Sequence, residues 1–339
     1  MTSGETVCAL LRALYNPAVT DELPLVSIII PVHPAKAEAK AAAASRKLDY
    51  PREKLEIIVV RSTDLSTYPS MKRNAAIRAA KGEIIYFLDD DSEPEPQNLR
   101  LGIPRFADPG VKMVGGPNVC PPDAPHIEQV FAVVMGSWLA FGPSRARYRP
   151  VGRLRASGEK ELISCNLLAR RDALLEAGGF DESMYPNEEN ALMEAVRNRG
   201  GTLLYDPQMI VYRRPRSNLS SFFRMLSFYG KGRAEQFRLH PGPESIINFA
   251  PPLFCLYLLL VWFLPWWGWL PLAAYGLAVL VQTAEAALRS NLWRALCAMP
   301  LLALTNILYG CGFWYGLFTR IKPPRTGPAP DIRLETVTA

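Results

Sequence analysis

Histidine is scarce in this 339-residue chain: His33, His126 and His240 are the only three, and they stand far apart. Zinc hydrolase chemistry needs clustered imidazole or thiolate ligands, so it is not expected here. The six cysteines (Cys8, Cys120, Cys165, Cys255, Cys297 and Cys311) lack metal-ligand spacing and read as reduced packing residues. No Gly-x-Gly-x-x-Gly follows any strand-like run, and the first such run passes into Pro31 and Pro34. That absence argues against a dinucleotide-binding oxidoreductase. There is no internal repeat and no low-complexity linker. The start also lacks a signal peptide, because Glu5 interrupts it and no long apolar core with a small-residue cleavage site follows. The soluble part is therefore expected in the cytoplasm.

Apolar residues, in contrast, crowd the C-terminal third. Three candidate crossing segments cover about 249–264, 269–283 and 296–317, the first two separated only by Pro265-Trp266-Trp267-Gly268. Such a spacing predicts a tight hairpin with an interfacial aromatic tip. The net charge of +6 is concentrated beside these segments: Arg213, Arg214, Arg216, Arg224, Lys231, Arg233 and Arg238 precede them, and Arg320, Lys322 and Arg325 follow. Basic residues so placed suit anionic headgroups or a lipid phosphate better than nucleic acid. Arg289 and Arg294 fit a cytoplasmic loop, but three full crossings would then leave the last basic group outside. Either the third segment is re-entrant or the positive-inside tendency is broken.

The first 216 residues read as α/β. Leu25–Val32 and Leu55–Val60 are strand-like, as is Ile84-Ile85-Tyr86-Phe87-Leu88, and helical stretches separate them. This alternation implies a parallel sheet with right-handed crossovers. The third strand runs into Asp89-Asp90-Asp91. Three carboxylates cannot stay in a core, so they mark the carboxyl edge of the sheet, where open α/β sheets bind ligands. Asp89 and Asp91, at alternate positions, fall on one side of an extended segment and suit a hard cation bridging to a diphosphate. A solvated acidic turn is the plain alternative. A second acidic pair, Glu188-Glu189, opens a helix over 191–199. Acids there complement the helix dipole, and an adjacent pair can also raise one pKa into the general-base range. The stretch to Pro150 reads as loop-rich, 161–170 as a further strand, and the tail after Pro323 as disordered.

In order, Ser27–Val32, Glu56–Val60, Arg73-Asn74, Gly82–Asp91, Gly115-Gly116-Pro117, Asn166 with Arg170-Arg171, and Gly179–Ser183 running into Asn187-Glu188-Glu189 resemble family 2 glycosyltransferases of the GT-A fold. The later Tyr229–Ala234 and the apolar C-terminus are similar to membrane-anchored bacterial members that build exopolysaccharides or glycolipids. The resemblance implies a Rossmann-like mixed sheet and inverting transfer from a nucleotide-sugar to a lipid-linked or glycan acceptor at the cytoplasmic membrane. It implies Mg²⁺ or Mn²⁺ on Asp89 and Asp91, Glu189 as base with Glu188 beside it, and donor contacts from Pro31, Asp64, Arg73, Asp89, Asp90 and Gly116. Asn166, Arg216 and Arg233 are the expected acceptor contacts. Departures from the family pattern put Arg61 where an Asp is usual and Arg213 where a metal-binding histidine is usual. Both join the expected donor site, and the metal is expected to be weakly held. A catalytically silent scaffold subunit is the alternative function. The expected organisation is an amphipathic helix over 1–20, a catalytic domain over 21–216 and a basic interfacial helix over 217–245. A membrane region of two or three segments over 246–319 and a disordered tail over 320–339 complete it. Oligomeric state is left open.

Overall fold

The computed structural model describes residues 23–36, 39–184, 187–239, 241, 243–321 and 331–337. The helix expected over 1–20 lies outside them. Strand β1 (Val26–Pro31) is buried at every position and pairs in parallel with β2 (Leu55–Arg61) and β3 (Ile84–Phe87). Unbroken Val/Ile runs are what a strand covered on both faces requires. Alternate side chains feed two cores: Ile28, Ile30, Ile57 and Tyr86 on one face, Ile29, Ile58, Ile85 and Phe87 on the other. Helices α1 (Lys40–Ser45) and α2 (Pro69–Ala79) make the crossovers, and Pro69 preorganises the first turn of α2.

Beyond β3 the chain adds β4 (Glu93–Pro94), α3 (Asn98–Gly102), β5 (Val111–Gly115) and β6 (Asn118–Val119). The stretch expected to be loop-rich holds α4 (His126–Met135) and α5 (Trp138–Phe141). Val130, Phe131, Val134 and Met135 give α4 a buried apolar face at helical spacing, which the surrounding prolines and glycines obscure in the sequence. Next come β7 (Arg155–Ala156), β8 (Leu167–Arg170), α6 (Arg171–Glu176), α7 (Glu188–Asn198), β9 (Thr202–Tyr205), β10 (Val211–Tyr212) and α8 (Leu219–Leu239). Of the strand expected over 161–170, the last four residues pair in the sheet; Ser164–Asn166 form a 3₁₀ turn. β8 lies antiparallel between β3 and β5, so the sheet is mixed rather than wholly parallel.

The C-terminal part contains α9 (Ala250–Leu260), α10 (Leu270–Arg289) and α11 (Leu292–Phe318). The helical stretches Ile246–Phe263, Trp266–Arg289 and Leu292–Phe318 are long and apolar enough to cross a membrane. The tail departs from expectation. Arg333–Val337 form β11, antiparallel to β2, and the main sheet runs β11-β2-β1-β3-β8-β5-β9-β7. The outer edge of β2 would otherwise present a row of unpaired backbone groups, which any extended segment within reach can satisfy.

Candidate active site

The carboxyl ends of β1 and β3 meet at the acidic turn. Leu88 still donates its N–H to the Ile29 carbonyl (3.2 Å), after which the chain leaves the ladder and Ser92 N–H closes a turn onto the Asp89 carbonyl (3.1 Å). A second, three-stranded sheet decides what the acids meet. β10 pairs antiparallel with β4 and parallel with β6, with Tyr212 opposite Glu93, so the next residue along, Arg213, lies over the turn. Its Nε donates to Asp91 Oδ1 (2.7 Å) and its Nη1 sits 3.2 Å from Asp89 Oδ2. Arg73, on buried α2, donates to Asp89 Oδ1 (2.8 Å). Lys36 Nζ donates to Asp90 Oδ1 (2.6 Å) and lies 3.7 Å from Asp91 Oδ2, while the His33 N–H donates to Asp90 Oδ2 (3.0 Å). Burial alone would raise the Asp91 carboxyl, but Arg213 and Lys36 override it and hold the group below its ordinary range. The same two aspartates push the Arg213 guanidinium well above its ordinary value against the effect of burial.

The glutamate pair opens α7 behind Asn187, which takes a left-handed conformation (φ 90°). Its two members have opposite surroundings. Glu189 is held at both oxygens: Arg147 Nη1 donates to Oε1 (3.2 Å) and the Ser164 N–H to Oε2 (3.0 Å). Burial pushes its pKa up, but Arg147 and the Ser164 hydrogen bond prevail and lower it. Glu188 is 6% exposed and meets Arg73 Nη1 at 3.5 Å. Burial, with Glu189 adding to it and Arg73 opposing, raises Glu188 to about 7. Arg73 thereby bridges Asp89 and Glu188 through one guanidinium, 5.3 Å over the Phe180 ring. Asn74 fixes the approach to α7, accepting from the Phe180 N–H (2.8 Å) and donating to the Phe180 carbonyl and to Glu182 (both 2.8 Å).

The remaining expected site residues have the following surroundings. Arg61 turns away toward the C-terminal strand, donating to Glu335 Oε2 (3.1 Å) and to the Lys36 carbonyl (3.4 Å). Asp64 accepts from the N–H and hydroxyl of Ser66, both at 2.8 Å. Asn166 is wholly buried: it accepts from Tyr86 Oη (2.9 Å) and donates to the Pro117 and Met209 carbonyls (3.1 and 2.7 Å). It is a structural pin between the two sheets, which corrects its expected acceptor contact. Gly116 is required by packing, since an added Cβ would sit 2.0 Å from the Met209 carbonyl oxygen. Pro31 ends β1, opposite Val60. Arg216 is exposed just past β10. Arg233 donates to Gln236 Oε1 (3.1 Å), and burial, reinforced by Arg147, lowers its pKa.

Two cations near the site were not singled out from the sequence. Arg147 also donates to the Lys160 carbonyl (3.1 Å), the Glu159 carbonyl and Asn190. Lys72, 3% exposed, donates to the Val32 carbonyl (2.7 Å). The run Arg145-x-Arg147-x-Arg149 was the available signal for the first; the position of Lys72 in a helix carried none.

The metal expected on Asp89 and Asp91 does not fit the turn in this arrangement. Each of the six carboxylate oxygens already faces a guanidinium, an ammonium or a backbone N–H, and Arg213 occupies the bridging position between Asp89 and Asp91. Among the described residues there is no group of three His, Cys, Asp or Glu side chains arranged to hold an ion.

Residues 49–174 match the sequence model of the family described as glycosyl transferase family 2. The chain is 26% identical over 177 residues to the pre-mycofactocin glycosyltransferase of Mycobacterium tuberculosis, covering 52% of this chain and 36% of that protein. It is 28% identical over 194 residues to the succinoglycan biosynthesis protein ExoA of Rhizobium meliloti, covering 55% and 56%. The chain thus spans about a third to a half of the length of these relatives. Its fold is similar to that of the mannosyltransferase PcManGT of Pyrobaculum calidifontis, solved in complex with GDP-Man and Mn²⁺. The TM-score is 0.53 at 19% identity, over 93% of this chain and 95% of that one.

Proposed function

We propose that this chain, whose residues 49–174 match the glycosyl transferase family 2 model and whose mixed sheet is GT-A-like, transfers a sugar, with inversion, from a nucleoside diphosphate donor to an acceptor hydroxyl at a membrane surface. The observation that carries the reading is a line of alternating charge, Lys36–Asp90/Asp91–Arg213–Asp89–Arg73–Glu188, crossing the carboxyl edge of the sheet. A guanidinium has five N–H donors, and the two ion pairs of Arg213 engage only two of its nitrogens. The third, Nη2, would then meet a diphosphate oxygen without releasing the aspartates. Charge-assisted bonds of this kind are strong and directional, and fixed cations offset the charge that builds on a departing diphosphate.

In the transfer, the acceptor oxygen bonds to the anomeric carbon as the carbon–oxygen bond to the diphosphate breaks. The bonding pair leaves with the diphosphate, and the acceptor proton passes to a carboxylate. Glu188 suits that last role better than Glu189. A group near 7 is ionised for a useful fraction of the time and is basic enough to take a proton, whereas both oxygens of Glu189 are committed to Arg147 and Ser164. The apolar helices and the basic face of α8 would keep the site at the headgroup layer, where a lipid-linked acceptor presents its hydroxyl; the cytoplasmic side of the membrane is the proposed location.

Purified protein, presented with a panel of nucleotide-sugars and membrane glycolipid extracts, should release a nucleoside diphosphate from one donor. If no donor is turned over and none raises the melting temperature, the silent scaffold replaces this reading.

A further inference from the structure

Helix α11 has the length of a membrane span but not the surroundings of one. Its 27 residues rise about 40 Å, more than a hydrocarbon core of about 30 Å. A helix crossing with that length would carry one end far from the catalytic domain. Instead, its start packs on that domain and its end on α8, which itself shares the same core. Near the start, Ala298, Leu301 and Leu302 share a core with Val130, Phe131 and Val134 of α4, Phe222 of α8, and Ile163 and Cys165 beside the main sheet. Near the end, Arg238 of α8 donates to the Gly316 carbonyl (3.1 Å) and to that of Thr319. Between them the backbones of α8 and α11 touch. A Cβ added at Gly312 would lie 2.0 Å from the Ser227 carbonyl oxygen, and one at Gly230 equally close to that of Tyr309. Small residues that admit such contact make an extensive helix-to-helix seam.

The chain after α11 gives an independent constraint. β11 is hydrogen-bonded along β2 from Arg333 opposite Arg61 to Val337 opposite Ile57, and Glu335 pairs with Arg61 at 3.1 Å. An odd number of crossings would place that strand across the bilayer from its partner. The number is therefore even, and with α11 laid along α4 and α8, only the α9–α10 hairpin remains to enter the membrane.

That hairpin is too short to cross and return. Gly310 of α11 packs against Pro251 and Cys255 of α9, and Trp314 donates to the Pro252 carbonyl (2.9 Å). From Cys255 to Phe263 is eight residues, about 12 Å of helical rise, against about 15 Å for one leaflet. On the other limb Tyr275 already donates to the Ala303 carbonyl (3.0 Å), and Gln282 accepts from the N–H groups of Trp138 and Leu139 on α5. The tip between the limbs presents Trp262, Phe263, Trp266 and Trp267, 57–85% exposed. The outward residues of the layer, among them Leu277, Leu280, Val281, Leu288 and Leu292, are apolar as well. Between Ile246 and Phe318 the only charged residues are Glu285, Arg289 and Arg294, and Glu285 faces back to Arg149 at 3.5 Å.

We propose that α9–α11 form a one-leaflet anchor: α11 lies in the plane of the membrane surface, the α9–α10 hairpin dips into the near leaflet, and the chain returns to the catalytic sheet without crossing.

The test uses the full chain carrying one epitope at each terminus, in sealed membrane vesicles. Both epitopes should be digested by protease from the same face. A Trp266→Cys variant on a background with the native cysteines replaced by serine or alanine should resist an impermeant maleimide from either face and label once detergent is added. Termini digested from opposite faces would overturn the proposal, as would labelling of Cys at 266 from the face opposite the termini. Native protein that stays soluble and fails to float with phosphatidylglycerol-containing liposomes would also overturn it, pointing to a protein partner or a second copy on the apolar layer. The native-protein arms read out even if the cysteine variant fails to fold.

Discussion

The two acidic groups at the edge of the sheet have similar sequences and different electrostatics. Asp89-Asp90-Asp91 closes a strand and is answered one for one by Arg213, Arg73 and Lys36. Glu188-Glu189 opens a helix and is answered unequally: Arg147 takes Glu189, and among the described residues the cation paired with Glu188 is Arg73, shared with Asp89, at 3.5 Å. Full pairing makes the first group a fixed, nearly neutral framework with spare N–H donors, suited to holding an anion. Partial pairing under deep burial leaves the second with one carboxyl near 7, suited to taking a proton. Arg73 joins the two through one guanidinium.

The sharpest way to break this contrast is Glu188→Gln, which keeps the shape and removes the base. It should lower kcat by about 10²–10⁴-fold with little change in donor affinity; a kcat within threefold of the parent would return the role to Glu189. Glu189→Ala should act on stability instead. It leaves the buried Arg147 with the Lys160 and Glu159 carbonyls and Asn190 but no carboxylate, a change that costs about 1–3 kcal/mol, visible as a lower thermal midpoint. Arg213→Gln tests the first group. Nucleoside diphosphate binding measured in EDTA should persist in the parent and weaken by about 10–100-fold in the variant, the range for losing one charge-assisted contact. With Asp89 and Asp91 released from Arg213, Mn²⁺ should partly restore binding to the variant, read by calorimetry. Parent protein that binds nucleotide only with Mn²⁺ would show that Arg213 yields to a metal.

The smallest effect is the pH dependence. Glu188 must be ionised to accept a proton and its pKa is raised to about 7, so kcat should rise with pH through that value, approaching tenfold per unit on the acid side. The linked stability has the opposite sense. A folded-state pKa above the unfolded one means the folded state binds the extra proton, so this group's contribution is full below about 4.5 and is lost as pH rises toward 7. A flat kcat profile across that range would remove Glu188 from the proton transfer.

Much of the architecture was legible in the residues. The Val/Ile runs, the acids at the end of the third strand, the glutamate pair at a helix start and the basic helix before an apolar region all fall where their chemistry required. Asn166 was legible as a special residue but not in its role, because a buried amide that pins two sheets and one that binds a ligand look alike in sequence. The tail departs from its disordered appearance for a related reason. Arg333–Val337 has little apolar drive of its own, and becomes a strand because β2 offers an open edge.

The sequence by itself determined which segments must be buried, since burial follows from local apolar content and period, and it determined where carboxylates had to emerge, since desolvating an unpaired charge is prohibitive. Only the tertiary structure decided what those carboxylates face. Arg213 reaches Asp91 across 122 positions of sequence because two two-residue strands pair, and Arg147 reaches Glu189 across 42. Coulomb energies fall with distance in space and are indifferent to distance along the chain, so the proposed division of labour between a framework acid and a proton-accepting one exists only once the chain has folded.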